Sequence, residues 1–142
     1  MKKLLLASLL ILFAVTTTTQ AKDKDGYTLA DIRGTYGFKV HGEIIGVGPL
    51  VITGYLKMDG KGNIPEAVRT VSVNGYANTE TFTCTFDIKP NGTGSVVCPL
   101  DNPAPGFPPV ETFDFVFWDD TDGFYVVTTL DGVTAVGEGR KQ

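Results

Sequence analysis

His41 is the only histidine among 142 residues, and that single count removes several chemistries. Zinc sites built on two or more histidines are excluded. A Ser-His-Asp arrangement would have to pass through His41, and no Gly-x-Ser-x-Gly turn is present to display a nucleophile. The run Asp119-Asp120-Thr121-Asp122-Gly123 offers three carboxylates in one loop, the ligand type that a hard cation takes. It lacks the distant glutamate of an EF-hand, and aspartates favour hairpin turns because they bond their own backbone, so it reads as a turn. Gly42, Gly46 and Gly48 before Pro49 lack the strand–loop–helix setting of a phosphate loop and read as a flexible connection. Asn91-Gly92-Thr93 fits a glycosylation acceptor by spacing only. No residue pair stands out for acid–base work. The sequence therefore favours a non-enzymatic protein, and no catalytic residue, metal ligand or cofactor is assigned.

The two cysteines, Cys84 and Cys98, carry the firmest local expectation. Phe82, Cys84, Phe86 and Ile88 alternate with Thr81, Thr83, Thr85 and Asp87, an apolar face against a polar one. With Pro90-Asn91-Gly92 as a three-residue turn, Phe86 falls opposite Val96, Cys84 opposite Cys98 and Phe82 opposite Leu100. Directly opposed residues lie about 5 Å apart, close enough to bridge, so a Cys84–Cys98 disulfide is predicted. Closing a loop of about 15 residues stabilises by roughly 3 kcal/mol in the chain-entropy picture.

Strand-like runs recur at about 33–41, 49–58, 65–73, 78–89, 93–100, 110–118, 123–130 and 133–140. Turn chemistry separates them: Asp59-Gly60-Lys61-Gly62-Asn63, Asn74-Gly75, Pro90-Asn91-Gly92, Asp119 to Asp122, and Asp131-Gly132. Tyr27 to Ile32 suits one helical turn with Thr28 as its cap. Pro99 to Pro109 holds five prolines around Phe107 and reads as a crossover, or as a rim carrying Phe107 over the mouth of a barrel. Eight short strands joined mostly by tight turns predict an all-β fold, a single small antiparallel up-and-down barrel with one hairpin disulfide; a sandwich is the alternative.

Lys2-Lys3, the apolar run Leu4–Val15 and the small residue before Lys22-Asp23-Lys24-Asp25 form the pattern of a secretory signal cleaved near Ala21. Twelve apolar residues fall short of the ~20 that a helix needs to span a bilayer. The expected domains are 1–21, signal peptide, and 22–142, one barrel. The expected location is periplasmic or extracellular, with no membrane span in the mature chain, and an oxidising compartment suits the disulfide. Of 12 basic and 16 acidic residues, losing Lys2 and Lys3 leaves 10 against 16, a mature charge of −6. That balance disfavours nucleic acid as a partner, which rewards clustered Lys and Arg.

Alternation places Phe113, Phe115 and Phe117 on one face with Phe124, Val126 and Ala135. Val116, Trp118, Tyr125, Val127 and Val136 fall on the other, among Asp114, Glu138 and Arg140. A contiguous outer apolar patch usually marks a partner surface, so these strands are expected either to form a homo-oligomer interface through Val116, Trp118, Tyr125 and Val127 or to lie under another segment.

The runs Ile32-Arg33-Gly34-Thr35-Tyr36-Gly37-Phe38, Asp59-Gly60-Lys61-Gly62-Asn63 and Asn91-Gly92-Thr93-Gly94-Ser95 resemble small secreted bacterial proteins with a calycin-like barrel. More distantly the chain is similar to lipocalins, with Gly34-Thr35-Tyr36 at the opening motif, tyrosine standing for its tryptophan, and Arg140 as the basic residue packed on it. Allene-oxide-cyclase-like barrels share the broad architecture. The resemblance implies a fold, and fold does not carry function. An eight-stranded barrel either fills itself with side chains or holds one small ligand. The first functional expectation is a small apolar or amphipathic ligand held among Tyr36, Phe38, Ile52, Leu56, Phe82, Phe86, Phe113 and Phe115. The alternatives are a filled barrel acting through its outer face and, third, a cyclase- or isomerase-like enzyme.

Overall fold

The computed structural model describes residues 26–103 and 107–142; the expected signal peptide lies outside them. Eight strands follow in chain order: β1 Arg33–Ile44, β2 Gly48–Asp59, β3 Asn63–Val73, β4 Tyr76–Phe86, β5 Thr93–Pro99, β6 Val110–Trp118, β7 Gly123–Thr128 and β8 Val133–Lys141. Each pairs antiparallel with the next, and β8 pairs with β1, so the sheet closes into an up-and-down barrel. Closure gives every strand two neighbours. The expected fold class and the eight strands hold.

The hairpin register follows from turn chemistry. Asn74 (φ 47°) and Gly75 (φ 86°) supply the two positive φ values that a two-residue hairpin requires between Val73 and Tyr76. At the β4–β5 turn, Lys89 N–H donates to the Thr93 carbonyl at 2.7 Å, closing the predicted three-residue loop 90–92. Phe86 pairs with Val96, and Cys84 and Cys98 form the predicted disulfide with Cα atoms 4.3 Å apart.

Two expectations need correction. The glycine-rich connection after β1 is only residues 45–47, since Gly42 and Gly48 belong to the strands. A Cβ on Gly42 would stand 2.0 Å from the Thr134 carbonyl oxygen, so the missing side chain is what lets β8 approach. The third strand starts at Asn63 and carries a bulge, with Pro65 and Glu66 lying between the pairs Ile64↔Cys84 and Ala67↔Phe82. Pro65 is tolerated there because a bulge interrupts the ladder. The extra residue also switches the alternation. Ile64 points inward before the bulge, and Ala67, Arg69, Val71 and Val73 point inward after it.

The core divides into two layers. One end is plugged by Ile32, Tyr36, Met58, Phe86, Phe115, Phe117 and Phe124. Beneath it lies the 3₁₀ turn Leu29–Asp31, where the expected helical turn shrinks to three residues and Thr28 donates both its N–H and its hydroxyl to Asp31. Ring centroids of Tyr36, Phe117, Phe124 and Phe115 stand 5.4–5.9 Å apart in tilted and edge-on contacts, each adding about 0.5–1.5 kcal/mol beyond burial. The other end is filled by Val40, Ile44, Leu50, Ile52, Val71, Val73 and Ala135. The Leu100 N–H donates to the Pro109 carbonyl, and Phe107 packs on the second layer.

Candidate functional site: the barrel interior and its outer face

Between the two layers lies a chamber of about 60 Å³. Seven of the eight interior candidates line it: Phe38, Ile52, Leu56, Phe82, Phe86, Phe113 and Phe115. Tyr36 does not. It is fully buried in the plug, where its hydroxyl donates to the Thr121 carbonyl at 2.8 Å. Burial pushes the Tyr36 phenol above its ordinary value of 10.0. The bond also steadies a strained turn, since Asp120 (φ 58°) and Thr121 (φ 79°) are non-glycine residues in the left-handed region. The basic group near the Tyr36 ring is Lys141, with Nζ 5.8 Å from the centroid, and not Arg140. Inward alternation along β8 runs through Ala135, Gly137 and Gly139 to Lys141, leaving Arg140 on the outside.

The interior also holds charges, at inward positions of β3, β4 and β6. Arg69, exposed by only 2%, donates to both oxygens of the fully buried Glu111 at 2.5 and 2.9 Å. Its Nε donates to Glu80 at 2.6 Å. Burial alone would lower the guanidinium pKa, but the hydrogen bonds and charges of Glu111 and Glu80 more than offset it, and the net shift is upward. Phe82 and Phe107 cover the guanidinium, with ring centroids 4.9 and 5.6 Å from its central carbon. Glu80 is on β4 and Glu111 on β6, so Arg69 reaches across β5, where the β4–β5 ladder pairs only Thr85↔Val97 and Phe86↔Val96. With the disulfide, this fork closes the barrel's shortest seam. Among the described residues no buried side-chain nitrogen or oxygen lacks a partner.

The outer face is the second candidate. Cross-strand pairing aligns Val51, His41, Val136, Val127 and Asp114 in one row and Thr53, Lys39, Glu138, Tyr125 and Val116 in the next. Val51 (55%), Val136 (49%), Val127 (45%), Tyr125 (57%) and Val116 (38%) are all exposed there. Trp118 lies over Gly123 and stacks on Tyr125 at 4.2 Å, extending the patch by one row. A Cβ on Gly123 would collide with the indole at 2.3 Å, so glycine is what lets the tryptophan lie flat. Together these strands and β5 form a shallow open groove of about 920 Å³. All four residues expected at an oligomer surface fall on this one face.

His41 sits within that face, exposed between Val51 and Val136. Asp120 and Asp122 are exposed in their turn. Among the described residues, no three His, Cys, Asp or Glu side chains gather to hold a metal ion, and no helix is long and apolar enough to cross a membrane.

The molecule thus belongs to the class of closed eight-stranded antiparallel up-and-down barrels. No family model, curated protein or solved structure matches the chain.

Proposed function

We propose that this is an exported interaction module: a barrel filled by its own side chains that works through the outer face of β6, β7, β8 and β1. The observation that carries this reading is the contiguous patch of Val116, Tyr125, Val127 and Val136 on a sheet face, with Val51 beyond His41 and the Lys39–Glu138 ion pair beside Tyr125. Five exposed large apolar side chains in two adjacent rows are unlike the scattered single hydrophobes of an ordinary surface. The interior argues the same way. A void of about 60 Å³ costs about 1.5 kcal/mol at roughly 24 cal/mol per Å³, the scale of a packing defect. Small-molecule pockets usually measure about 300 Å³ or more. Export is supported by the disulfide together with the basic and apolar start of the chain.

A photo-crosslinking residue at Val127, introduced in the cells that make the protein, tests the reading. Position 127 is expected to form a protein adduct, while position 70, exposed on the outer face of β3, forms none. Equal labelling from both positions, or none from 127, contradicts it.

A second reading is favoured by one observation. Phe38, Phe82, Phe113 and Val126 point inward yet stay only half-buried around the chamber. A small apolar molecule of a few heavy atoms would complete their burial. Kinship with calycin-like barrels belongs to this reading, supported by Tyr36 at the plugged end below Lys141. Mass spectrometry under native conditions tests it: a reproducible bound mass supports the ligand, and a bare chain opposes it.

A further inference from the structure

We infer that the unpaired edge of β4, residues 76–82, pairs with the same edge of a second copy of this chain, antiparallel and centred on Thr79. This goes beyond the outer-face reading and does not depend on it. The two-residue turn makes Val73↔Tyr76 a hydrogen-bonded pair, so Asn78, Glu80 and Phe82 also bond to β3. Ala77, Thr79 and Thr81 therefore turn their N–H and C=O groups away from β3. The Thr70 and Thr79 hydroxyls meet at 2.9 Å, as side chains of a non-hydrogen-bonded pair can. On the far side, β5 pairs only with Thr85 and Phe86. Continuing that register sets Pro99 opposite Thr83, and proline has no N–H to give. Pro103, Pro108 and Pro109 in the segment that follows are equally unable to donate. Among the described residues, nothing bonds the main chain of Ala77, Thr79 or Thr81 from that side, and all three residues are exposed.

A row of unpaired main-chain groups is a template for another strand. Residues 76–82 hold no lysine and no proline to block it, and their one charge, Glu80, is held by Arg69. The side chains select both the occupant and the register. Two identical antiparallel edges pair about a two-fold axis. With the axis at Thr79, the midpoint of the stretch, Ala77 and Thr81 of one copy meet Thr81 and Ala77 of the other, and every free donor and acceptor is used. Asn78 then lies beside Glu80 of the second copy, an amide against a carboxylate, and Tyr76 beside Phe82, an aromatic pair. An axis at Glu80 would set two carboxylates against each other. An axis at Thr81 would require Thr85, which is already paired with Val97. Among the described residues no other strand carries so long an unpaired stretch, so assembly closes at the dimer. Pairing in the plane of the sheet leaves the outward side chains of β3 uncovered, Thr70 among them. About seven residues per chain make a contact roughly 23 Å long, at the small end of specific interfaces, so dissociation on the order of 10–100 µM is expected.

Sedimentation equilibrium of the purified protein, from about 1 to about 500 µM, is expected to show a concentration-dependent dimer. Thr79→Pro removes an N–H that β3 does not use and is expected to abolish the dimer. Thr79→Lys and Thr79→Glu each set like charges on the axis and are expected to weaken it at least about tenfold. Mixing these two variants in equal amounts brings opposite charges together and is expected to give a heterodimer. Far-UV circular dichroism confirms that each variant is folded. A wild-type chain that stays monomeric overturns the inference, and so does a dimer that survives Thr79→Pro or a mixture that fails to associate. A dimer lost in Val127→Lys overturns it as well, because that contact would lie on the outer face. The outer-face reading is tested by the Val127 crosslinks, so the two failures are distinguishable.

Discussion

Arg69 and Glu111 lie 42 residues apart in the chain and meet inside the barrel as a forked guanidinium–carboxylate pair. Glu80 takes the remaining side of the fork, and two phenylalanines cover it. The pair joins β3 to β6 across a seam where β4 and β5 pair at only two positions, Thr85↔Val97 and Phe86↔Val96, before the hairpin bonds of Asp87 and Lys89. Such a buried pair adds little net stability over well-packed apolar residues, but breaking it leaves a buried charge alone.

Arg69→Met is therefore expected to cost about 3–5 kcal/mol, because Glu111 has no route to solvent. The triple variant Arg69→Met/Glu80→Leu/Glu111→Leu is expected to recover most of that loss. Urea unfolding of the three proteins measures the difference, and a harmless Arg69→Met would refute the role assigned to the fork.

The seam has a second fastener. Replacing Cys84 and Cys98 together by serine is expected to cost about 3 kcal/mol for the lost loop of about 15 residues. Hydrogen exchange should then speed up first along Tyr76–Thr83, the part of β4 beyond its short ladder with β5. Uniform acceleration across all strands would show that the barrel opens as one unit and not at the seam.

Tyr36→Phe removes the hydroxyl that caps Thr121 and is expected to cost about 1–2 kcal/mol. The pH dependence has a definite sign. The folded-state pKa of Tyr36 is raised, so its contribution is fully present below the unfolded value of 10.0 and is lost as pH rises through the folded value. Thermal melts between about pH 8 and 11 should show wild type losing more stability than Tyr36→Phe. Parallel curves would contradict this.

The parts legible in the sequence were those fixed by local chemistry. Asn74-Gly75 and Pro90-Asn91-Gly92 set hairpin registers because their residues suit tight turns, and the Cys84–Cys98 bridge followed from one of those registers. The apolar outer face was equally plain, since alternation alone separates Val116, Tyr125 and Val127 from Phe115, Phe117 and Phe124. The Arg69 fork was missed, although its three residues occupy inward positions: Glu80 with Phe82 and Cys84, Glu111 with Phe113 and Phe115, Arg69 with Ala67 and Val71. Three charges at inward positions of three strands were the available signal. Their meeting depends on barrel closure and on the switch of alternation at Pro65-Glu66, which no local pattern reports. Chamber volume was likewise hidden, because it depends on how Phe38, Phe82 and Phe113 pack against one another in space.

The outer face is the proposed site of association, and the chain's one tryptophan sits at its edge, stacked on Tyr125. Acrylamide quenching of Trp118 fluorescence, measured from about 0.1 to about 500 µM protein, tests it most directly. Quenching should fall and emission shift to the blue as concentration rises, and both changes should disappear in Val127→Lys. Quenching that is the same at every concentration would contradict association through this face.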